Sequence, residues 1–443
     1  MVFTRMYSYN RLRMFSGFRV FDCKSSFFGL QISYSLWLFV QRLTQRNRFL
    51  FNRFIPLISV FLLAGMLTGC SAVSDGNTAS ESTLRGESSV GSAVHGVWLT
   101  NVDSKVLNSK EGIKEAVAFC KELGLNAIFP VVWNKGVTLY PSAVMKERFG
   151  IEIDSNFKGR DPLRELTAAA RENGIKVIPW FEFGFAASYK SNGGHLLAKM
   201  PNWKAIDKNG ELVTKNGFEW MNGFDPEVQD FVLSLIEEVV TNYAVDGIQG
   251  DDRLPAMPSE SGYDPYTVGL YKSAHNGEEP PADHQNPGWL QFRADLMTDF
   301  AGKIYRKVKS VNPAAIVAFA PSVYPFSKTE YLQDWVKWVK LGYVDLISPQ
   351  VYRKDIDAYT KTLKKDFLEH LPAGNKLKFY PGILLNVGSY KTDPDLLLQM
   401  VEENRKLGIM GEIYFFYEGL KNYTDLFREE IYPYKVSFPN LTR

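Results

Sequence analysis

From His95 onward the chain repeats one unit eight times: a short run rich in β-branched and aromatic residues, then a stretch with apolar residues at helical spacing. The strand-like runs are HGVWLT (95–100), NAIFPVVW (126–133), KVIPWFEF (176–183), DGIQGDD (246–252), IVAFAPSV (316–323), VDLISPQVY (344–352), KFYPGILLN (378–386) and GEIYFFYEG (411–419). Helical runs between them include DPLRELTAAARENG (161–174), EVQDFVLSLIEEVVTNY (227–243), LQFRADLMTDFAGKIYRKVKSV (290–311) and DPDLLLQMVEENRKLG (393–408). A strand joined to the next through a helix pairs with it in parallel, so the repeat builds a parallel sheet covered by helices. Eight such units in about 350 residues match a (β/α)8 TIM barrel, an α/β fold, with an enlarged loop after strand 4. Gly124, Gly174 and Gly408 each stand between a helical run and a strand, where a left-handed cap ends the helix.

The segment before the repeats has another character. Nine of the 51 Lys and Arg but one of the 49 Asp and Glu lie before Phe54, so the remainder is mildly acidic. That balance leaves no basic arm for nucleic acid. RNRFLFNRFIPLISVFLLAGMLTGC (46–70) runs from basic residues through an apolar core to small residues and a cysteine, the layout of an export signal. Its Leu67-Thr68-Gly69-Cys70 resembles the bacterial lipoprotein signal, which implies cleavage, a lipid on Cys70 and an extracytoplasmic, membrane-anchored protein. Residues 1–69 are therefore expected to be a leader, 70–93 a Ser- and Gly-rich flexible tether, and 94–443 the barrel. Cys120, in IKEAVAFCKELG (113–124), falls at a core-facing helical position and reads as a structural thiol.

In such a barrel, chemistry belongs at the carboxyl ends of the strands. Four acids fall there: Glu182 after strand 3, Asp251 and Asp252 after strand 4, and Glu418 after strand 8. Asn101 and Asp103 follow strand 1. Solvated or helix-capping carboxylates are the plain alternative, strongest for Asp103. Glu182 and Glu418 end the aromatic runs WFEFGF and YFFYEG, where burial would raise a carboxyl pKa toward that of a general acid. Strand alternation sets Gln249 and Asp251 on one face and turns Asp252 away, unless the loop has already bent. Trp98, Trp133, Trp180 and Tyr352 near strand ends offer flat rings for sugar faces, with core packing as the alternative, evenly weighed for Trp133. The five histidines form no HExxH-like spacing and no GxGxxG follows a strand, so neither a metal nor an organic cofactor is expected.

DGIQGD resembles the DG-x-R-x-D fourth-strand motif of amylase-type barrels, with Gln249 in place of Arg and Asp251 in the nucleophile's place. A wider set, HGVWLTN, the loop from Gly262 to Trp289, VDGIQGDDRLP, VDLISPQVY and FFYE, resembles the glycosyl-hydrolase-like 10 family from His95 to about Tyr432. Relatives often carry an aromatic after the paired acids, where this chain has Arg253 and Leu254. The resemblance implies a (β/α)8 protein acting on glycosidic bonds, in peptidoglycan glycan strands or a related polysaccharide. On that reading Asp251 is the nucleophile or base and Glu182 the general acid, with Asp252 and Glu418 as further candidates. Arg253 would hold Asp251 or Asp252 ionised, while Trp98, Asn101, Asp103, Trp180, Gln350 and Tyr352 bind sugar. The alternative is a non-catalytic glycan-binding lipoprotein using the same cleft.

Overall fold

The computed structural model describes residues 91–371 and 373–442. The expected leader, the expected lipid site Cys70 and nearly all of the expected tether lie outside the described residues. The barrel strands are β1 (His95–Leu99), β2 (Ala127–Pro130), β3 in two pieces (Lys176–Val177 and Trp180–Phe181), β4 (Gly247–Gly250), β5 (Ile316–Phe319), β6 (Leu346–Ile347), β7 (Gly382–Leu384) and β8 (Glu412–Phe415). One parallel sheet runs β7, β8, β1, β2 and the first piece of β3; the other runs from the second piece of β3 through β4 and β5 to β6. The two pieces of β3 join the sheets on one side. On the other, parallel bridges Ile347↔Phe379 and Gln350↔Gly382 tie β6 to β7, so the ring closes. This is the barrel expected from the repeat.

The helices that follow the strands are α1 (Lys110–Glu122), α2 (Pro162–Asn173), α3 (Pro226–Asn242), α4 (Pro287–Val311), α5 (Trp335–Lys340), α6 (Ile356–Lys364) and α7 (Pro394–Lys406). Four of them open on one device: Asp161, Asp225, Asn286 and Asp393 each accept an N–H of the first turn, and a proline follows in the first helical position. There the ring's fixed φ suits the helix and its missing N–H leaves nothing unpaired. Gly124, Gly174 and Gly408 all take positive φ, as expected of caps. Cys120 is fully buried, and burial pushes its thiol up, away from reactivity.

The strands are shorter than their sequence runs, because the carboxyl-terminal part of each run bends into loops. The loop after β4 is long and carries a helix at Pro265–Ala274, as expected. The connection from β3 to α3 is also enlarged. It holds a helix at Gly194–Lys199 and an antiparallel sheet ordered Ala186–Tyr189, Phe218–Trp220, Thr214–Lys215. The hairpin in that sheet turns at Asn216 and Gly217, both at positive φ, which is the chemistry of a two-residue hairpin loop. A further hairpin, Trp133–Asn134 against Val137–Thr138, follows β2.

Candidate active site

A pocket opens at the carboxyl ends of the strands, lined by Trp98, Trp180, Glu182, Asp251, Asp252, Arg253, Gln350, Tyr352, Leu384, Val387 and Phe415. Its floor is aromatic. Trp98, Trp180 and Phe415 form a triangle with ring centroids 6.2 to 6.5 Å apart, and Tyr352 leans on Phe415 at 5.6 Å. Gln249, fully buried in β4, accepts from the Trp98 indole N–H at 2.6 Å and so fixes that ring. The Trp180 indole N–H is buried without a hydrogen-bond partner.

Both acids after β4 face the pocket because the chain turns sharply there. The Leu254 N–H donates back to the Asp251 carbonyl at 3.1 Å, and a Cβ on Gly250 would sit 2.3 Å from the Leu254 carbonyl oxygen. Only glycine allows that return. The loop after β3 packs as tightly: Gly184, at φ +50°, would place a Cβ 2.0 Å from the Arg253 carbonyl oxygen. The two loops thereby press Arg253 against Glu182.

Arg253 is the centre of the cluster. Its Nε donates to the Glu182 backbone carbonyl at 2.9 Å and its Nη2 to Asp251 Oδ2 at 2.9 Å. The same Nη2 lies 3.7 Å from Glu182 Oε1, and Nη1 lies 2.8 Å from Asp252 Oδ1. That last oxygen has no aligned hydrogen bond, so Asp252 meets the guanidinium through charge alone. Gln350 donates to the other oxygen of Asp251 at 2.9 Å, which leaves Asp251 the more restrained of the two acids. The Phe218 ring covers the guanidinium at 4.6 Å. Burial alone would lower the pKa of Arg253, but the surrounding carboxylates raise it.

Glu182, only 3% exposed, accepts from Asn134 Nδ2 at 2.5 Å. Burial pushes its carboxyl up to about 7, with Arg253 and Asn134 pulling the other way. Asp251, 2% exposed, is raised well above the usual carboxylate range by burial and then by the charge of Asp252, against the pull of Arg253. Arg253 was expected to pair with Asp251 or Asp252, and it pairs with both, at 2.9 and 2.8 Å. Three acids around one cation carry an excess of negative charge, which adds to burial in favouring the protonated forms of Glu182 and Asp251.

The structure brings together Glu182, Asp251, Asp252, Arg253, Gln350, Tyr352, Trp98 and Trp180. It does not bring Glu418 with them. After β8 the chain enters a 3-10 helix at Tyr417–Asn422, and Glu418 accepts from Ser104 and pairs with Lys421 at 2.8 Å, its side chain 22% exposed. The expected burial of this carboxylate is therefore absent. Asp103 is exposed at φ +60°, and Asn101, outside the pocket lining, accepts from Asn134 at 3.2 Å. Trp133 is core: fully buried, its indole donates to the Gly184 carbonyl. The sequence reading missed Asn134, whose place in VVWNKG reads as a turn, and the apolar lining from Leu384, Val387 and Phe415. Among the described residues, no three His, Cys, Asp or Glu side chains are arranged to hold a metal ion.

The profile of the family described as glycosyl hydrolase-like 10 matches residues 93–379. The glycosyl hydrolase DigH of Escherichia coli (strain K12) is 24% identical over 283 residues, covering 58% of this chain and 62% of that relative, less than two thirds of its length. Glycosyl hydrolase YngK of Bacillus subtilis is 22% identical over 356 residues, covering 72% of this chain and 67% of the relative. Among solved structures, the PgaB (BpsB) glycoside hydrolase domain from Bordetella bronchiseptica superposes with a TM-score of 0.57 at 13% identity, over 76% of this chain and 99% of that one. At that identity the likeness establishes the barrel fold.

Proposed function

The chain belongs to the glycosyl hydrolase-like 10 family, and from that premise we propose that it is an extracytoplasmic lipoprotein hydrolysing glycosidic bonds in peptidoglycan glycan strands or a related polysaccharide. One observation carries the reading: a buried Glu182, its carboxyl pushed up to about 7, shares Arg253 with a pair of aspartates in one aromatic-lined pocket. A carboxyl that keeps its proton near neutral pH can give it to a leaving glycosidic oxygen, while a second, ionised carboxyl attacks the sugar or activates water. Trp98, Trp180 and Tyr352 supply faces for sugar rings, and Gln350 supplies a polar edge.

The family resemblance implied Asp251 for attack, with Asp252 as a further candidate, and we give the attacking role to Asp252. Asp251 has both oxygens held, accepting from Arg253 and Gln350, so on this reading it fixes the guanidinium in place rather than attacking the sugar. Asp252, held through charge to Arg253, is left to act on the sugar. The experiment is release of reducing ends from purified glycan strands, with and without stem peptides, by wild type, Glu182→Gln and Asp252→Asn. Loss of release in both folded variants supports the two-carboxylate mechanism. Firm binding without release by wild type would make the protein a glycan-binding lipoprotein instead.

A further inference from the structure

Asn134 is almost fully buried, at 1% exposure, beside the acid of the proposed pair. Its Nδ2 donates to Glu182 Oε2 at 2.5 Å and to Asn101 Oδ1 at 3.2 Å. Its Oδ1 is buried with no partner. A buried, unsatisfied acceptor costs about 1–3 kcal/mol, so its presence here asks for a use.

The backbone holds this side chain opposite Glu182 from both sides. The Val132 N–H donates to the Trp180 carbonyl at 2.9 Å, the Phe183 N–H donates to the Trp133 carbonyl at 3.2 Å, and the Trp133 indole donates to the Gly184 carbonyl at 3.0 Å. These bonds bracket Glu182 and pin the hairpin after β2 to the end of β3, so Asn134 cannot drift away. An amide is also the side-chain group suited to both states of a carboxyl. It donates through nitrogen to a carboxylate and accepts through oxygen from an acid.

We infer that Asn134 is the positioning residue through which Glu182 changes protonation state in place. Its Nδ2 bonds the carboxylate, and a half-turn about Cβ–Cγ brings the idle Oδ1 to the acid's O–H. The inference deepens the proposed role of Glu182 as proton donor and rests on that reading for its functional meaning. The groups acting on Glu182 are Arg253, Asp251 and Asp252 from the loop after β4, and Lys135 from the hairpin itself. Arg253 and Lys135 only donate, and the two aspartates carry like charge, so Asn134 is the neutral group bonded to this carboxyl that can donate to one state and accept from the other.

The test follows the Glu182 carboxyl directly, by ¹³C NMR titration of the full-length protein labelled at the glutamate side-chain carboxyl. The resonance is assigned by its loss in Glu182→Gln. Asn134→Ala removes a charge-assisted bond from the carboxylate and a weaker neutral bond from the acid, so the Glu182 midpoint should rise, by about one pH unit or a tenfold change in proton affinity. Asn134→Asp keeps the shape and adds a like charge, so it should raise the midpoint further; it carries the test alone if the alanine variant fails to fold. Any measured glycan-release profile should move its alkaline limb upward by the same amount. An unmoved midpoint in a folded variant overturns the inference, even if glycan is released. A moved midpoint without glycan release from wild type upholds it while refuting the hydrolase reading.

Discussion

Replacing Glu182 by Gln should make the protein more stable and less active at the same time, and the size of the gain follows from the site. The folded carboxyl sits at about 7 against an ordinary value of 4.5, because it is buried. Its folded pKa is raised, so the folded state binds the proton more tightly than the unfolded one. The native state is then favoured at low pH and loses that advantage as pH rises from about 4.5 to about 7. A shift of this size corresponds to roughly 3 kcal/mol of stability withheld at pH 8. Gln has the shape of the protonated acid and can still accept from Asn134, so Glu182→Gln should gain roughly 3 kcal/mol at pH 8 and under about 1 kcal/mol at pH 5. Urea unfolding of both proteins at the two pH values measures this directly. A gain independent of pH, or a loss at pH 8, would refute the argument that burial keeps this carboxyl protonated.

Arg253→Met removes the cation that meets Asp251, Asp252 and Glu182. It should destabilise the fold by about 3–5 kcal/mol at pH 8, as for other broken buried pairs, and by less at pH 5, where the stranded carboxyls take up protons; denaturant midpoints at both pH values check this. Asp252→Asn should cut turnover by orders of magnitude. Asp251→Asn should cost less, because Asp251 holds Arg253 in place and the one amide oxygen can still accept from either Arg253 or Gln350; the opposite ranking of turnover would return the attacking role to Asp251. Cys70→Ala should abolish incorporation of a labelled fatty acid, and equal label in both proteins would exclude Cys70 as the lipid site.

The barrel was legible because its signal is repeated: eight apolar runs, the helical runs between them and glycine caps all point to one architecture. The acids after β3 and β4 were legible as strand-end carboxylates. What alternation could not supply was the return of the chain after Gly250, which turns Asp251 and Asp252 toward one pocket. Glu418 failed for a related reason: the aromatic run continues past the strand into a 3-10 helix, which carries the side chain toward Ser104 and Lys421. Asn134 was hidden because its role depends on pairing between hairpin and strand, a contact spanning 48 residues that no local pattern records.

The central claim is that the cleft cuts glycans through Glu182 and the aspartate pair. The most direct measurement is mass analysis of the soluble products from purified glycan strands incubated with wild type, Glu182→Gln and Asp252→Asn, each verified as folded. The account predicts shorter oligosaccharides with new reducing ends from wild type and intact strands from both variants. Products of equal amount from all three proteins, or none from wild type on strands that it binds, would contradict it.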